Sequence, residues 1–329
     1  MVEDQFQNSH DAWQAPTQIR SELVDALQRQ IEHLQFSPLQ VSLARLWGLS
    51  EDNIAPIASA ELAISLLLKL TGLPGTQKVL TFQPAPQRLQ DIAFLESVPL
   101  LQLPLNRNLE LDCDRLLNSW QKRAKIVWLD RPQYPMSYSA SLEQIEQLAQ
   151  DLSKHALIVI DERDLDFTAE ISCSELVKQN SNLLVLRRFR LVDGDMPDIC
   201  VFTGHREWIT AINSLLGIFG LDSHKSGQAA ACVDDRLVGG IFDVSEKRSM
   251  HQKFVSFFSQ SERVDKVYAG CSDYLLVRMH LDKYLVKGLK EAGVSMQLWP
   301  QNEALLSCVC FTKIEAHQLT LISTVFHDV

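Results

Sequence analysis

From Lys78 to Phe219, short apolar segments alternate with longer amphipathic ones, and no other feature restricts the fold of this chain as strongly. The apolar segments are Lys78–Phe82, Pro99–Pro104, Lys125–Leu129, Ala156–Ile160, Leu183–Arg187 and Ile199–Thr203. Each has strand length. Between or after them, Gln87–Glu96, Cys113–Lys122, residues 141–153 (with Ser141 as a possible cap) and Glu207–Phe219 read as helices. Short apolar strands alternating with helices predict a mainly parallel sheet covered on both faces, hence an α/β layered domain.

Flanking segments extend this plan. Residues 17–34 place Ile19, Leu23, Leu27, Ile31 and Leu34 on one helical face, with Pro16 and Thr17 at its start. Residues 38–47 continue as a helix that Gly48 stops, and residues 60–70 form an apolar helix that ends at Gly72–Gly75. From about residue 245 the pattern changes to helix Ser245–Gln260, strand Tyr274–Met279, helix Asp282–Ala292, strands Ser295–Leu298 and Leu305–Thr312, and helix Glu315–Val325. That order predicts a smaller α+β domain. The expected division is residues 1–49 as an N-terminal arm and helices that join the small domain, 50–240 as the large domain, and 241–329 as the small domain, with the boundary near Gly239-Gly240.

Composition narrows the function classes. In 329 residues, 46% hydrophobic and 22% charged content suits a globular chain with a sizeable core. A net charge of −10 argues against nucleic acid or an anionic membrane as the main partner. The seven cysteines are scattered and include no CxxC pair, so neither a zinc site nor a disulfide framework is expected. The acidic, polar start does not read as a secretory signal, and no apolar run approaches the ~20 residues of a membrane span. A cytoplasmic location is the expectation. No GxSxG, HExxH, P-loop or GxGxxG pattern occurs, which leaves hydrolase, zinc-peptidase and nucleotide-binding classes without support.

Four landmarks in order give the chain a family likeness. Ile158–Phe167 (IVIDERDLDF) is similar to a "VVVDEAYxxF" motif, and Asn182–Phe189 (NLLVLRRF) to "NLxVLRTF". Ser226–Ala231 (SGQAAA) is similar to "LAQAAA", and Asp273–Arg278 (DYLLVR) to "NFLLVR". The chain thereby resembles the fold type I aminotransferases that use pyridoxal phosphate (PLP), specifically the histidinol-phosphate aminotransferase and threonine-phosphate decarboxylase group. The resemblance implies a three-layer large domain of the aspartate aminotransferase type with a mainly parallel sheet, and a smaller α+β domain. It also implies a homodimer, with Phe36-Ser37-Pro38 where the family has an arm tyrosine that reaches the neighbouring subunit.

Read alone, Asp161 could merely cap a strand beside Arg163; the resemblance implies that it descends from the carboxylate that pairs with the protonated ring nitrogen of PLP. The rest of the machinery departs from the family position by position. Leu191 stands where the imine-forming lysine belongs, and a leucine cannot form an imine. Arg190 replaces the serine before it, and Ile199 the phosphate-binding arginine. The "NPNNPTG" stretch reads Arg131–Ser137 (RPQYPMS), with Tyr134 in place of the asparagine that holds the ring hydroxyl. Asp164 replaces the tyrosine after "DEA". Ala58-Ser59-Ala60-Glu61 replaces the "GSDE" helix start, the stacking aromatic is lost near Pro86, and Ser307 stands for the arginine that clamps a substrate carboxylate.

The resulting expectation is an aminotransferase-like pseudoenzyme with no catalytic residues and no metal. Its old cofactor pocket would be marked by Asp161, Tyr134, Arg190, Ser59 and Leu191, and its role would be binding a small molecule or a protein. The alternative is an active PLP enzyme that uses a displaced lysine, Lys225 for instance, or PLP held without a covalent bond. Arg187, Arg188 and Arg190 are expected to pair with Asp193, Asp195 or Asp198. Asp161, Glu162, Asp164 and Asp166 are expected to form a solvated, salt-bridged segment, and Cys308 and Cys310 to be small buried residues on one face of a strand.

Overall fold

The computed structural model describes residues 37–71, 78–106, 109, 112–119, 124–168, 170–189, 199–219, 227, 229–234, 245–268 and 274–328. The expected helix over 17–34 and the residues Arg190, Leu191 and Lys225 lie outside that set.

The larger unit is a seven-stranded sheet. Its strands are β1 (Ile54–Ile57), β2 (Val79–Phe82), β3 (Leu100–Leu103), β4 (Ile126–Asp130), β5 (Leu157–Asp161), β6 (Leu183–Phe189) and β7 (Ile199–Gly204), in the order β1-β7-β6-β5-β4-β2-β3. Strands β2 to β6 pair in parallel, whereas β7 runs antiparallel to both β6 and β1. Period-2 geometry sends alternate residues to opposite faces. Leu157 and Val159 join a core with Trp128, Leu184 and Phe202, while Ile158 and Ile160 join a second core with Val127, Leu183 and Val185. Both faces are apolar because both are covered, as the sequence pattern required.

Helices close the layers. Helix α1 (Pro38–Trp47) starts at a Ser37–Gln40 capping box and stops at Gly48, whose φ of 66° is the left-handed conformation glycine tolerates. Helix α2 (Ala60–Leu70) is capped by Ser59; α3 (Gln87–Leu95) and α4 (Cys113–Ser119) follow. Helix α5 (Leu142–Asp151) has the expected Ser141 cap, completed by Gln144, and α6 (Arg206–Phe219) follows β7.

The smaller unit has helix α7 (Ser245–Ser259), strands β8 (Val264–Tyr268) and β9 (Leu275–Met279), helix α8 (Lys283–Glu291), strands β10 (Met296–Leu298) and β11 (Cys308–Phe311), and helix α9 (Ala316–Asp328). Its antiparallel sheet has the order β10-β11-β9-β8. One face (Leu275, Val277, Val309, Phe311) packs on its own helices. The other (Leu276, Cys308, Cys310) joins the core of the larger unit, so the two cysteines do share a buried face. None of the five cysteines at 173, 200, 232, 308 and 310 is in a disulfide. Among the described residues no helix is long and apolar enough to cross a membrane.

The structure departs from the sequence reading in three places. Strand β1 is new; it contains Pro56, which is tolerated because β1 is an edge strand. Strand β8 is also new, since its residues are half-exposed or exposed and carry no apolar signal. Residues 38–49 were assigned to an arm that joins the small domain. Instead Leu39, Leu43, Ala44 and Leu49 pack with Ile54, Phe189 and Val201 on the seven-stranded sheet, because the apolar face of α1 meets β1.

Gly204 at the end of β7 tests this packing. A Cβ there would lie 2.1 Å from Cδ2 of Leu184, which is fully buried in the opposing strand. Gly204→Ala is therefore expected to destabilise the fold by about 1–3 kcal/mol, seen as a lower urea midpoint with an unchanged slope.

Candidate functional site at the ends of β4 and β5

Strands β4 and β5 end side by side, with Asp130 opposite Asp161. In α/β sheets the carboxyl ends of central strands are where ligands are held. Here Asp161 is already engaged. Arg163 turns back onto it, Nε donating to Oδ1 at 2.8 Å and to Oδ2 at 3.1 Å, and Nη2 donating to Oδ2 at 2.5 Å. The Arg163 backbone N–H donates a further bond to Oδ1 at 3.2 Å. Both residues are buried. Burial opposes the Arg163 charge, and the Asp161 carboxylate more than offsets it, so the guanidinium pKa sits above its ordinary range.

The amino end of α2 reaches the same place. Ser59 accepts from the Leu62 N–H at 3.2 Å, and Glu61 sits in the first turn, paired with Arg88 Nε at 2.6 Å. Burial pushes the Glu61 carboxyl up, but its own backbone N–H, Arg88, Ser59 and Arg163 together hold it below the usual range. A helix start is a natural anion site; this one carries its own carboxylate. Cys200, opposite Arg188 on the neighbouring strand, lies within the field of Arg163 and Asp161, and burial pushes its thiol up to about 11.

Asp130 has the opposite fate to Asp161. Trp128 Nε1 donates to its Oδ1 at 3.2 Å, while Oδ2 has no hydrogen-bond partner among the described residues. Burial first, and then the Asp161 charge, raises its pKa well above the normal carboxyl value. Two carboxyls stand at adjacent strand ends beside one guanidinium; Asp161 takes it, and the pKa of Asp130 is raised.

Tyr134 fills the space above them. Its hydroxyl donates to Gln297 Oε1 at 2.5 Å, on β10 of the smaller unit. Its ring packs edge-on against Tyr274 at 4.9 Å and Trp299 at 6.2 Å. Burial, then the neighbouring Cys310, raises the phenol pKa. Behind Tyr134, Arg131 and Glu162 form a buried pair at 2.9 Å. Arg131 also donates to the carbonyls of Ala140 and Ile171, and Glu162 accepts from the Ser172 hydroxyl and the Cys173 N–H.

Sequence reasoning placed some of these residues and missed others. Asp161 and Ser59 do come to the same end of the sheet, through Arg163, and Tyr134 is within reach of Asp130. The acidic run is not a solvated segment. Asp161 and Glu162 are buried and paired with Arg163 and Arg131, because strand alternation sends their carboxylates to different cores where each needs a cation. Arg187 lies over the Trp47 ring at 4.0 Å. Arg163 stands beside Asp161 as the strand-capping reading had it, and grips both of its oxygens. The parts missed were Asp130 and Gln297. Among the described residues no cluster of His, Cys, Asp and Glu could hold a metal ion.

Asp130 gives a signed pH test. Its folded pKa is raised, so its contribution is fully present below the unfolded carboxyl pKa, ~3.9, and is lost as pH rises toward the folded value. Asp130→Asn keeps the shape and removes the ionisation. Its melting temperature relative to wild type is expected to climb from pH 4 to pH 8, and a difference independent of pH would contradict the assignment.

Comparisons with known proteins place this geometry. The family model for aminotransferases of class I and II matches residues 30–186. Histidinol-phosphate aminotransferase 1 of Legionella pneumophila (strain Lens) is 22% identical over 273 residues, 81% of this chain and 74% of the relative. The corresponding enzyme of Xanthomonas euvesicatoria pv. vesicatoria (strain 85-10) is 26% identical over 280 residues, 82% of this chain and 76% of the relative. Among solved structures, the histidinol-phosphate aminotransferase from Clostridium acetobutylicum superposes with a TM-score of 0.72 at 17% identity, covering 96% of this chain and 98% of that one. That from Sinorhizobium meliloti, solved with pyridoxal-5′-phosphate, gives 0.71 at 17% identity, covering 93% and 87%. With the seven-stranded sheet and the smaller unit packed on it, these matches show that the chain has the fold of the PLP-dependent aminotransferases and that residues 30–186 are similar to the aminotransferases of class I and II.

Proposed function

We propose that this chain is an aminotransferase-fold pseudoenzyme: a binding protein that has lost PLP-dependent transamination and acts as a cytoplasmic homodimer. The observation that carries the reading is the Asp161–Arg163 pair. Bound PLP would supply an electron sink that needs a carboxylate at its ring nitrogen. Asp161 is the residue placed to provide it, and both of its oxygens are taken by Arg163. The remaining contacts fit the cofactor no better. Tyr134 spends its hydroxyl on Gln297, and in sequence Ala58 and Ala60 stand where the resemblance has the glycine and aspartate of the phosphate-binding helix start. In sequence, Leu191 offers no amine for an imine. The residues present therefore do not fit PLP, and no catalytic step is assigned through it.

What these residues do instead is hold the end of the sheet closed. Arg163 pairs with Asp161, burial and the Asp161 charge disfavour ionisation of Asp130, and Tyr134 ties the two units together. The test is to incubate the protein with PLP, reduce with borohydride, and map modified lysines by mass spectrometry. No single stoichiometric site and no amino-acid-dependent turnover are expected, and Leu191→Lys alone is expected to leave turnover undetectable. Stoichiometric labelling of one residue, Lys225 for example, together with turnover would establish the active-enzyme alternative.

A further inference from the structure

Apart from the closed end of β5, a cleft of about 780 Å³ lies between the two units. Small-molecule sites typically occupy ~300–1,000 Å³. One wall is made by residues just past the carboxyl ends of β2 and β3, namely Gln83 and Pro104 to Asn106. The other comes from Asp265 on β8, Arg278 on β9, and the turn that leads into β11, including Asn302 and Ser307.

Arg278 is the only cationic side chain among the described residues of that lining. It is held in place but not used up. Nη2 donates one long bond, 3.5 Å, to the Ala304 carbonyl. The guanidinium stands 5.7 Å from the centre of the Tyr268 ring, and Cys308 sits opposite it on the adjacent strand. The Cys308 sulfur accepts a further bond, and of the five N–H donors of a guanidinium these two contacts leave several over. It makes no ion pair with a described residue, although Asp265 is close enough to raise its pKa. Amides surround it, Gln83, Asn106, Gln301 and Asn302, and the exposed carboxylates of Asp265 and Glu303 stand at the margin.

We propose that this cleft binds a small polar monocarboxylate whose carboxylate pairs with Arg278. A guanidinium fork matches a carboxylate with two parallel bonds. Amides that both donate and accept favour a hydroxylated or aminated body over an apolar one. The acids at the margin set the charge limit, since a second negative charge, as on a phosphate dianion, would meet two carboxylates with only one arginine to offset them. The site uses neither Asp161 nor Leu191, so it stands or falls apart from the loss of PLP chemistry.

The experiment is ligand-observed NMR on the full chain, titrating D-gluconate, D-glucose and inorganic phosphate to about 20 mM, a range that covers millimolar dissociation constants. Gluconate is expected to saturate, with glucose and phosphate about tenfold weaker or more. Arg278→Gln should weaken gluconate about tenfold or more, and Arg278→Lys should keep part of the binding, since it retains the charge without the fork. Ser307→Glu changes an exposed position and puts a carboxylate into the cleft; it is expected to abolish gluconate binding and provides the test even if Arg278→Gln does not fold. Failure of gluconate to saturate, gluconate no tighter than glucose, or equal binding to wild type and the Ser307→Glu protein would each overturn the proposal.

Discussion

A carboxylate buried at the end of a central strand must be paired, and the partner it takes decides what else can be held beside it. Asp161 takes Arg163, two residues on, through both oxygens. A buried pair of this kind is not a large source of net stability, because desolvation of both ions offsets most of the attraction. Its consequence is exclusion. With the guanidinium in place, three N–H donors already engage both carboxylate oxygens, and an external cation such as a protonated ring nitrogen would have to compete with them. Burial and the Asp161 charge raise the pKa of the adjacent Asp130.

The closure is reinforced from the smaller unit. Tyr134 leaves the larger unit and bonds to Gln297, with Tyr274 and Trp299 around its ring. Leu276, Cys308 and Cys310 extend the same contact into the core of the larger unit. The site thus became a structural junction between the units. Below it, Arg131 and Glu162 satisfy each other together with backbone carbonyls and an N–H.

Much of the fold was legible because both faces of β4, β5 and β6 are buried, which wrote near-continuous apolar runs into the sequence. The elements that escaped lacked that signal. Strand β1 contains Pro56, and β8 reads Val-Asp-Lys-Val-Tyr on an edge where half its residues need no burial. The site was legible in part. Asp161 followed from a strand end and from family likeness. The grip of Arg163 on both oxygens did not, because an arginine two residues beyond a strand shows its hydrogen bonds only once the chain is seen to turn back. Asp130 and Gln297 depended on register and on contact between the units, neither of which one sequence displays. Arg190 and Leu191 carry the chemical argument in sequence alone, since they lie outside the described residues.

The central claim is that the protein's own side chains occupy the place a cofactor would take. Pyridoxine 5′-phosphate tests it most directly, because it keeps the ring and phosphate of PLP but has no aldehyde and cannot label lysines. A ligand that binds the folded state at a hundredfold excess over its Kd adds about 2.7 kcal/mol and raises the melting temperature. At millimolar pyridoxine 5′-phosphate the melting temperature of the wild-type protein is expected not to move. A saturable rise of several degrees, lost in Asp161→Asn, would show that Asp161 still receives a cofactor ring and would contradict the account.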